Sequence, residues 1–389
     1  MRNLVLVLVL MLAAGVPAFA IRRVTAVELE KLLSATHERN DAKVASQISG
    51  LELTERLSAA RMGRIRATLP GAKATQALVT LADVAEFLDL PASECPALAP
   101  PGSATLDSLV ALVANWVRHS IPKLPDFLAT RMTARFEDTP AEPATLDAPT
   151  IFYDPLHLVG VSSANVVNRE GQEQVDIDDA KGRKPGSPLS GLETSGEFGT
   201  VLITLMTDVL RGEIDWKGWE SGQDGRLAVF RYSVPQQLSH YTVKIPGGWR
   251  NLQTQSAYHG EIAFDPAGGS VRRVTLEAEL RPDDLISKAN LFVEYGPVEI
   301  GGKRYILPTR SVALAEVRAV HPVLNSQGGA YSYLGPPQTQ LNDVQFENYH
   351  LFRGELRVVT EVDRQPVGNL PGAIPGGAQA SEPASAPAH

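Results

Sequence analysis

Ala257-Tyr258-His259-Gly260-Glu261-Ile262-Ala263-Phe264 is followed by Asp265-Pro266-Ala267-Gly268-Gly269 and then by Val271-Arg272-Arg273-Val274-Thr275-Leu276. Both flanks alternate with a period near two, and the five residues between them are turn formers, so the stretch predicts a β-hairpin. The same pattern repeats around it. Residues 213–219, 226–234, 240–245, 290–298, 304–318, 342–349 and 355–362 are short alternating runs parted by Gly, Pro or Asp, which predicts an antiparallel meander. Upstream, Leu128, Thr130, Met132, Ala134 and Phe136 alternate with polar partners in a first strand. Residues 156–167 and 173–177 form a hairpin around Arg169-Glu170-Gly171-Gln172, after a proline-rich extended loop at 137–149.

Before residue 122 the period is 3.6. Thr25 and Glu28 make a capping box ahead of Leu29, Leu32 and Leu33. A second helix runs from Asp41 through Val44 and Ile48 to Gly50, and a third from Thr54 through Leu57, Ile65 and Leu69 to Pro70-Gly71. The fourth, over 75–90, presents Leu78, Leu81, Ala85 and Leu88. The fifth starts at Thr105, turns Leu109, Val113, Trp116 and Val117 inward, and stops at Pro122. Five short helices predict a small bundle. One more helix interrupts the strands: Thr194 and Glu197 read as a second capping box before Phe198, Val201, Leu202, Leu205, Met206 and Val209. These fall at i, i+3, i+4, i+7, i+8 and i+11, one apolar stripe that either covers the sheet as core or acts as a lid over a ligand.

Arg2, the apolar run over residues 4–12 and Ala18-Phe19-Ala20 predict a secretory signal peptide at 1–20, with a core shorter than the ~20 residues that span a bilayer. Export to the periplasm or the medium follows, with no transmembrane span. The remaining chain divides into a helical domain at 21–122, a β domain at 123–364 and a Pro/Ala/Gly-rich tail at 365–389 that is expected to be disordered. Cys95 is the only cysteine, so no intramolecular disulfide forms and core burial must hold the fold. Its thiol, set among prolines, reads as inert. With 36 basic and 44 acidic residues, the chain lacks the footprint of a nucleic-acid or anionic-lipid binder.

Catalytic and metal signatures are not recognisable. The histidines show no ligand spacing, although His240 and His259 fall on neighbouring predicted strands and could face each other. Asp176, Asp178 and Asp179 open like a calcium loop but lack its glycine and distant glutamate, so an acidic turn is expected. Ser120-Ile121-Pro122-Lys123 and Ser163-Ala164-Asn165 match penicillin-recognising spacings, yet Pro122 closes a helix where that chemistry needs one to begin. No nucleophile elbow, zinc pair, phosphate loop or dinucleotide fingerprint occurs, so no cofactor and no catalytic residue is assigned. A dispersed hydrolase would rest on His259 and Glu261. Aromatic residues cluster at Trp216, Trp219, Phe230, Tyr232, Tyr241, Trp249, Tyr258, Phe264, Phe292 and Tyr295. In a regular strand Trp216 and Trp219, three apart, face opposite sides.

Val298-Glu299-Ile300-Gly301-Gly302-Lys303-Arg304-Tyr305-Ile306-Leu307-Pro308, followed by Val344-Gln345-Phe346-Glu347-Asn348-Tyr349, resembles the closing strands of the periplasmic lipoprotein-carrier superfamily that includes LolA and the LolA-like domain of RseB. The resemblance covers roughly residues 127–362. The whole chain is also similar to exported bacterial proteins from which no activity carries over. The superfamily implies an α+β fold in which a strongly curved antiparallel sheet, an incomplete barrel, has its apolar concave face closed by helices and open to acyl chains. On that reading Phe198, Val201, Leu202, Leu205, Met206, Trp216, Trp219, Phe230 and Tyr232 line the groove. The expected occupant is an apolar small molecule, a lipid or a lipidated partner. The competing expectations are an envelope protein partner docked on the helical domain, and the dispersed hydrolase.

Overall fold

The computed structural model describes residues 21–35, 39–142, 150–176, 192, 194–245, 252–324 and 330–352. The predicted signal peptide, Asp178 and Asp179 of the acidic turn, Trp249, the strand at 355–362 and the tail lie outside the described residues.

The chain opens with β1 (Arg22–Val24) and α1 (Ala26–Ala35), where the predicted capping box is formed. The Thr25 N–H donates to Glu28 at 2.8 Å and the Glu28 N–H donates to Thr25 Oγ1 at 3.2 Å. α2 (Asp41–Ser49) is capped by the Asn40 side chain, and β2 (Leu51–Leu53) then pairs in parallel with β1. Beyond it the Thr54 N–H donates to the Val24 carbonyl at 3.0 Å and the Arg56 N–H to the Asp89 carbonyl at 2.8 Å, which holds residues 54–56 out of helical geometry. α3 (Ala59–Arg66) therefore starts behind a Ser58 cap, not at Thr54. α4 (Ala72–Val84) ends in a single tighter turn, Ala85–Phe87. Leu29, Leu33, Val44, Ile48, Ile65, Leu78 and Leu81 share one core.

α5 (Ser103–Ser120) does not join that core. It leads into β3 (Phe127–Thr139), β4 (Asp154–Arg169) and β5 (Gln172–Asp176), and the Glu170-Gly171 turn between the last two has φ of 52° and 74°. Positive φ at both central positions gives the twist that a two-residue hairpin needs. α6 (Thr200–Val209) follows, then β6 (Glu213–Gly222), β7 (Gly225–Val234), β8 (Thr242–Ile245), β9 (Leu252–Gln255), β10 (Tyr258–Phe264), β11 (Val271–Ala278), β12 (Ile286–Ile300), β13 (Lys303–Leu324) and β14 (Ala330–Leu351).

Ten of these strands form one antiparallel sheet in the order β5-β4-β3-β14-β13-β12-β11-β10-β7-β6. The sheet is curved and unclosed, with β5 and β6 at its edges. The opening hairpin of the sequence reading is β10–β11, and β14 returns to pair with β3. Among the described residues β8 leaves the meander and pairs only with β9, in a separate ribbon.

Alternation along the strands assigns the two faces. Phe230, Tyr232, Ile262, Val274, Leu291 and Val293 turn to one side, where Leu109, Val113 and Val117 of α5 lie with Leu202, Leu205, Met206 and Val209 of α6. Phe292, Val312, Leu314, Leu341 and Phe136 turn to the other, against Val84 and Phe87 at the end of α4. Two helices therefore cover the first face, where one was expected, because the fifth helix of the predicted bundle packs on the sheet. Among the described residues no helix is long and apolar enough to cross a membrane.

Candidate functional site

Of the nine residues expected to line a groove, eight are brought together on the face beneath α6. Leu202, Leu205 and Met206 are buried with Phe230 and Tyr232, while Val201, Trp216 and Trp219 pack at the margin of the same cluster. An apolar stripe on a helix and an apolar face on a sheet exclude water most fully against each other. Phe198 is also buried, but in the turn before α6 and in a neighbouring cluster. There its ring meets Phe127 at 5.1 Å, Phe346 at 5.2 Å and Tyr349 at 6.1 Å.

Trp216 and Trp219 do not face opposite sides. Their rings meet edge to face at 4.8 Å, and Trp216 continues onto Phe230 at 5.2 Å. The register along β7 jumps between Trp216 and Gly218, a bulge that adds one residue and returns Trp219 to the side of Trp216. Arg226 lies over the Trp219 ring at 4.4 Å.

Buried polar groups fix both ends of α6. At the entrance, Thr194 Oγ1 donates to Glu197 at 2.6 Å, a bond between side chains and not the reciprocal side-chain-to-backbone pair of a capping box. The helix begins only at Thr200, so Glu197 serves a different purpose. It is fully buried and faces Arg131 of β3, whose guanidinium donates to the Thr194 carbonyl at 2.9 Å and to its hydroxyl at 2.8 Å. Glu173 of β5 accepts the Gly196 N–H at 2.9 Å. At the far end Asp208, also fully buried, accepts the His240 N–H at 2.8 Å, the His240 ring Nδ1 proton and the Tyr258 hydroxyl at 2.9 Å. Burial and the Asp208 carboxylate push the Tyr258 phenol well up.

The opposite face of the sheet carries charge. Glu220 accepts two bonds from Arg56 at 2.9 Å and two from Arg273 at 2.6 and 3.1 Å, and Arg273 reaches on to Glu261 at 3.2 Å. Lys217 and Arg231 also pair with Glu261, and both reach Asp89, just beyond α4. Nearby, Arg310 gathers Asp83, Glu86 and Asp343. The residues between β1 and α4 are thus tied to the sheet by charge as well as by apolar contact.

His240 and His259 are not brought together. His240 precedes β8 and is taken by Asp208, whereas His259 lies 3.9 Å from Glu277 and 3.5 Å from Glu279. Glu261 is held by three cations, so His259 and Glu261 do not form a dyad. Among the described residues no group of three or more His, Cys, Asp or Glu is arranged to hold a metal. Burial pushes the Cys95 thiol up, which disfavours the nucleophilic thiolate. One end of the sheet exposes Phe152, Leu158, Val159 and Val161 beside β3, and Val320, Tyr333 and Leu334 on β13 and β14. Sequence spacing gave no sign of the buried charge pairs, because their partners lie 12 to 227 positions apart.

No family model and no curated protein sequence matches the chain. Two solved structures are similar to it in part. A DUF1329 family protein from Desulfovibrio piger ATCC 29098 has 10% identity and a TM-score of 0.28, over 64% of this chain and 94% of that one. MucB, solved in complex with MucA(peri), has 10% identity and a TM-score of 0.20, over 63% of this chain and 94% of that one. At scores this low, the reading of the site rests on its own residues.

Proposed function

We propose that this chain is a non-enzymatic periplasmic or secreted protein that binds an apolar ligand, a lipid or a lipidated partner, on the sheet face beneath α6. The observation that carries this reading is the way α6 is attached. Its underside is a continuous apolar stripe on an apolar face, while its two ends are fixed by buried carboxylates, Glu197 and Asp208, that pair with polar groups of the sheet and loops. The stripe and the apolar face beneath it are the surfaces between which an acyl chain would be taken up. Each methylene so buried contributes about 0.8 kcal/mol. The export signal read at 1–20 supports the compartment. Native mass spectrometry of protein purified from the periplasm is the test: co-purifying lipid, and saturable uptake of a fluorescent fatty acid, are expected. Lipid-free protein that takes up no fatty acid would count decisively against the proposal.

A second reading, an envelope protein-interaction module, is favoured by the exposed apolar end of the sheet at Phe152, Leu158, Val159, Val161, Val320, Tyr333 and Leu334. Crosslinking from these positions in the envelope is expected to capture one dominant protein under this reading. Capture that persists unchanged when Val161 and Leu334 are replaced by Asp would dispose of it.

A further inference from the structure

Three charged side chains meet where the chain enters α6, and they do not balance. Arg131 of β3 pairs with Glu197, in the turn before the helix, at 3.7 Å, and its charge also acts on Glu173, on the edge strand β5. Two carboxylates thus lie in the field of one guanidinium, which pairs with Glu197, and one oxygen of each, Glu173 Oε1 and Glu197 Oε2, is buried without a hydrogen-bond partner, as is Arg131 Nε. Like charges in a site of low polarity cannot both ionise cheaply, so one carboxyl of such a pair keeps its proton. The segment they hold is short. Arg131 binds the Thr194 carbonyl and hydroxyl, and Glu173 binds the Gly196 N–H, so these two contacts fix residues 194–196 to the sheet.

We propose that Glu173, Arg131 and Glu197 form a proton-operated clasp on the entrance to α6, closed while the Glu173 carboxyl is protonated and loosened when it ionises. The other groups facing the cluster do not compensate a second negative charge. Tyr295 of β12 donates its hydroxyl to the Glu197 carbonyl at 3.2 Å, Ser311 of β13 donates to Glu197 Oε1 at 3.4 Å, and Tyr349 of β14 has its phenol held well up by burial, with the charge of Glu173 adding to the effect. None supplies a positive charge. Burial and then the charge of Glu197, against the pull of Arg131, raise Glu173 to about 7. An unfolded glutamate releases its proton near 4.5, so the folded chain holds the extra proton between the two values. The contribution of the clasp is therefore whole below about pH 4.5 and is lost as pH rises toward 7.

The clasp concerns how the entrance to α6 is held and stands whether or not the face beneath takes a ligand. Its test is hydrogen exchange of residues 194–206 at about pH 5.5 and about pH 8, corrected for intrinsic rates, in the wild type, Glu173→Gln and Glu197→Gln. In the wild type, protection is expected to fall roughly fivefold or more at the higher pH, while the core around Leu78 is unchanged. Glu173→Gln keeps the acceptor for Gly196 but cannot ionise, so its protection should not depend on pH. Glu197→Gln removes the like charge and should move the transition to lower pH. Titration of the Glu173 carboxyl carbon by NMR needs no variant and is expected to show a midpoint near neutrality. A wild-type protection that ignores pH, a pH dependence that survives Glu173→Gln, or an ordinary glutamate midpoint would each overturn the proposal.

Discussion

Replacing Glu220 by Gln tests how the residues between β1 and α4 are joined to the sheet. Glu220 is only 5% exposed and accepts four hydrogen bonds from Arg56 and Arg273, which are themselves buried. Burial by itself would push the carboxyl up. The guanidiniums of Arg273 and Arg56 outweigh that cost and hold it down at about 2. Against 4.5 for an ordinary glutamate, this depression corresponds to about 3 kcal/mol of charge stabilisation in the folded chain. Because the folded value lies below the unfolded one, that stability is whole above about pH 4.5 and is lost as pH falls toward 2.

The amide of Gln keeps the shape but leaves Arg56 without a charge partner among its hydrogen bonds, and Arg273 with Glu261 alone. Breaking a buried pair in this way costs about 3–5 kcal/mol, in line with the titration argument. Urea denaturation followed by the fluorescence of Trp216 and Trp219, which lie on the same strand as Glu220, reads the change directly. A loss of about 3 kcal/mol at neutral pH, shrinking as both proteins are taken to acid, is the expected result. A loss under about 1 kcal/mol, or one that does not vary with pH, refutes the reasoning.

Leu202→Ala, which opens a void between α6 and the sheet, should cost about 2–5 kcal/mol in the same assay. Gly260→Ala should fold poorly or not at all, because the added methyl collides with the Thr275 carbonyl of the adjoining strand and comes within 2.8 Å of the Tyr232 hydroxyl; soluble expression and the near-ultraviolet spectrum read this. Asp208→Asn removes the charge that helps raise the Tyr258 phenol, so spectrophotometric titration should show that tyrosine ionising at lower pH than in the wild type. The same substitution should cost about 2 kcal/mol by weakening the bonds to His240 and Tyr258.

Local pattern carried most of the sheet and little of its wiring. The β10–β11 hairpin, the Glu170-Gly171 turn and the apolar stripe of α6 were legible because each depends on spacing within about a dozen residues. Trp219 was misplaced because a single bulged residue reverses the parity of every position after it; Gly218, a glycine inside the strand pattern with φ of 159°, was the signal that could have marked the bulge. The second capping box was misread for a related reason. Thr194 and Glu197 have the right spacing and do bond, but Arg131 and Glu173 draw them to the sheet, and the helix starts three residues later. α5 was assigned to the bundle because amphipathic spacing says which face is apolar and not what it meets; its stripe is matched by α6 and the sheet. The charged network around Glu220, Glu261 and Arg310 had no sequence signature, since alternation marks those side chains only as polar.

Methyl-labelled protein titrated with a long-chain fatty acid tests the binding proposal most directly. Leu202, Leu205, Met206, Val274 and Leu276 should show saturable shifts while Leu29 and Leu78 of the helical core stay still. Shifts confined to Leu158, Val159 and Leu334 at the exposed end, or none at all, would contradict it.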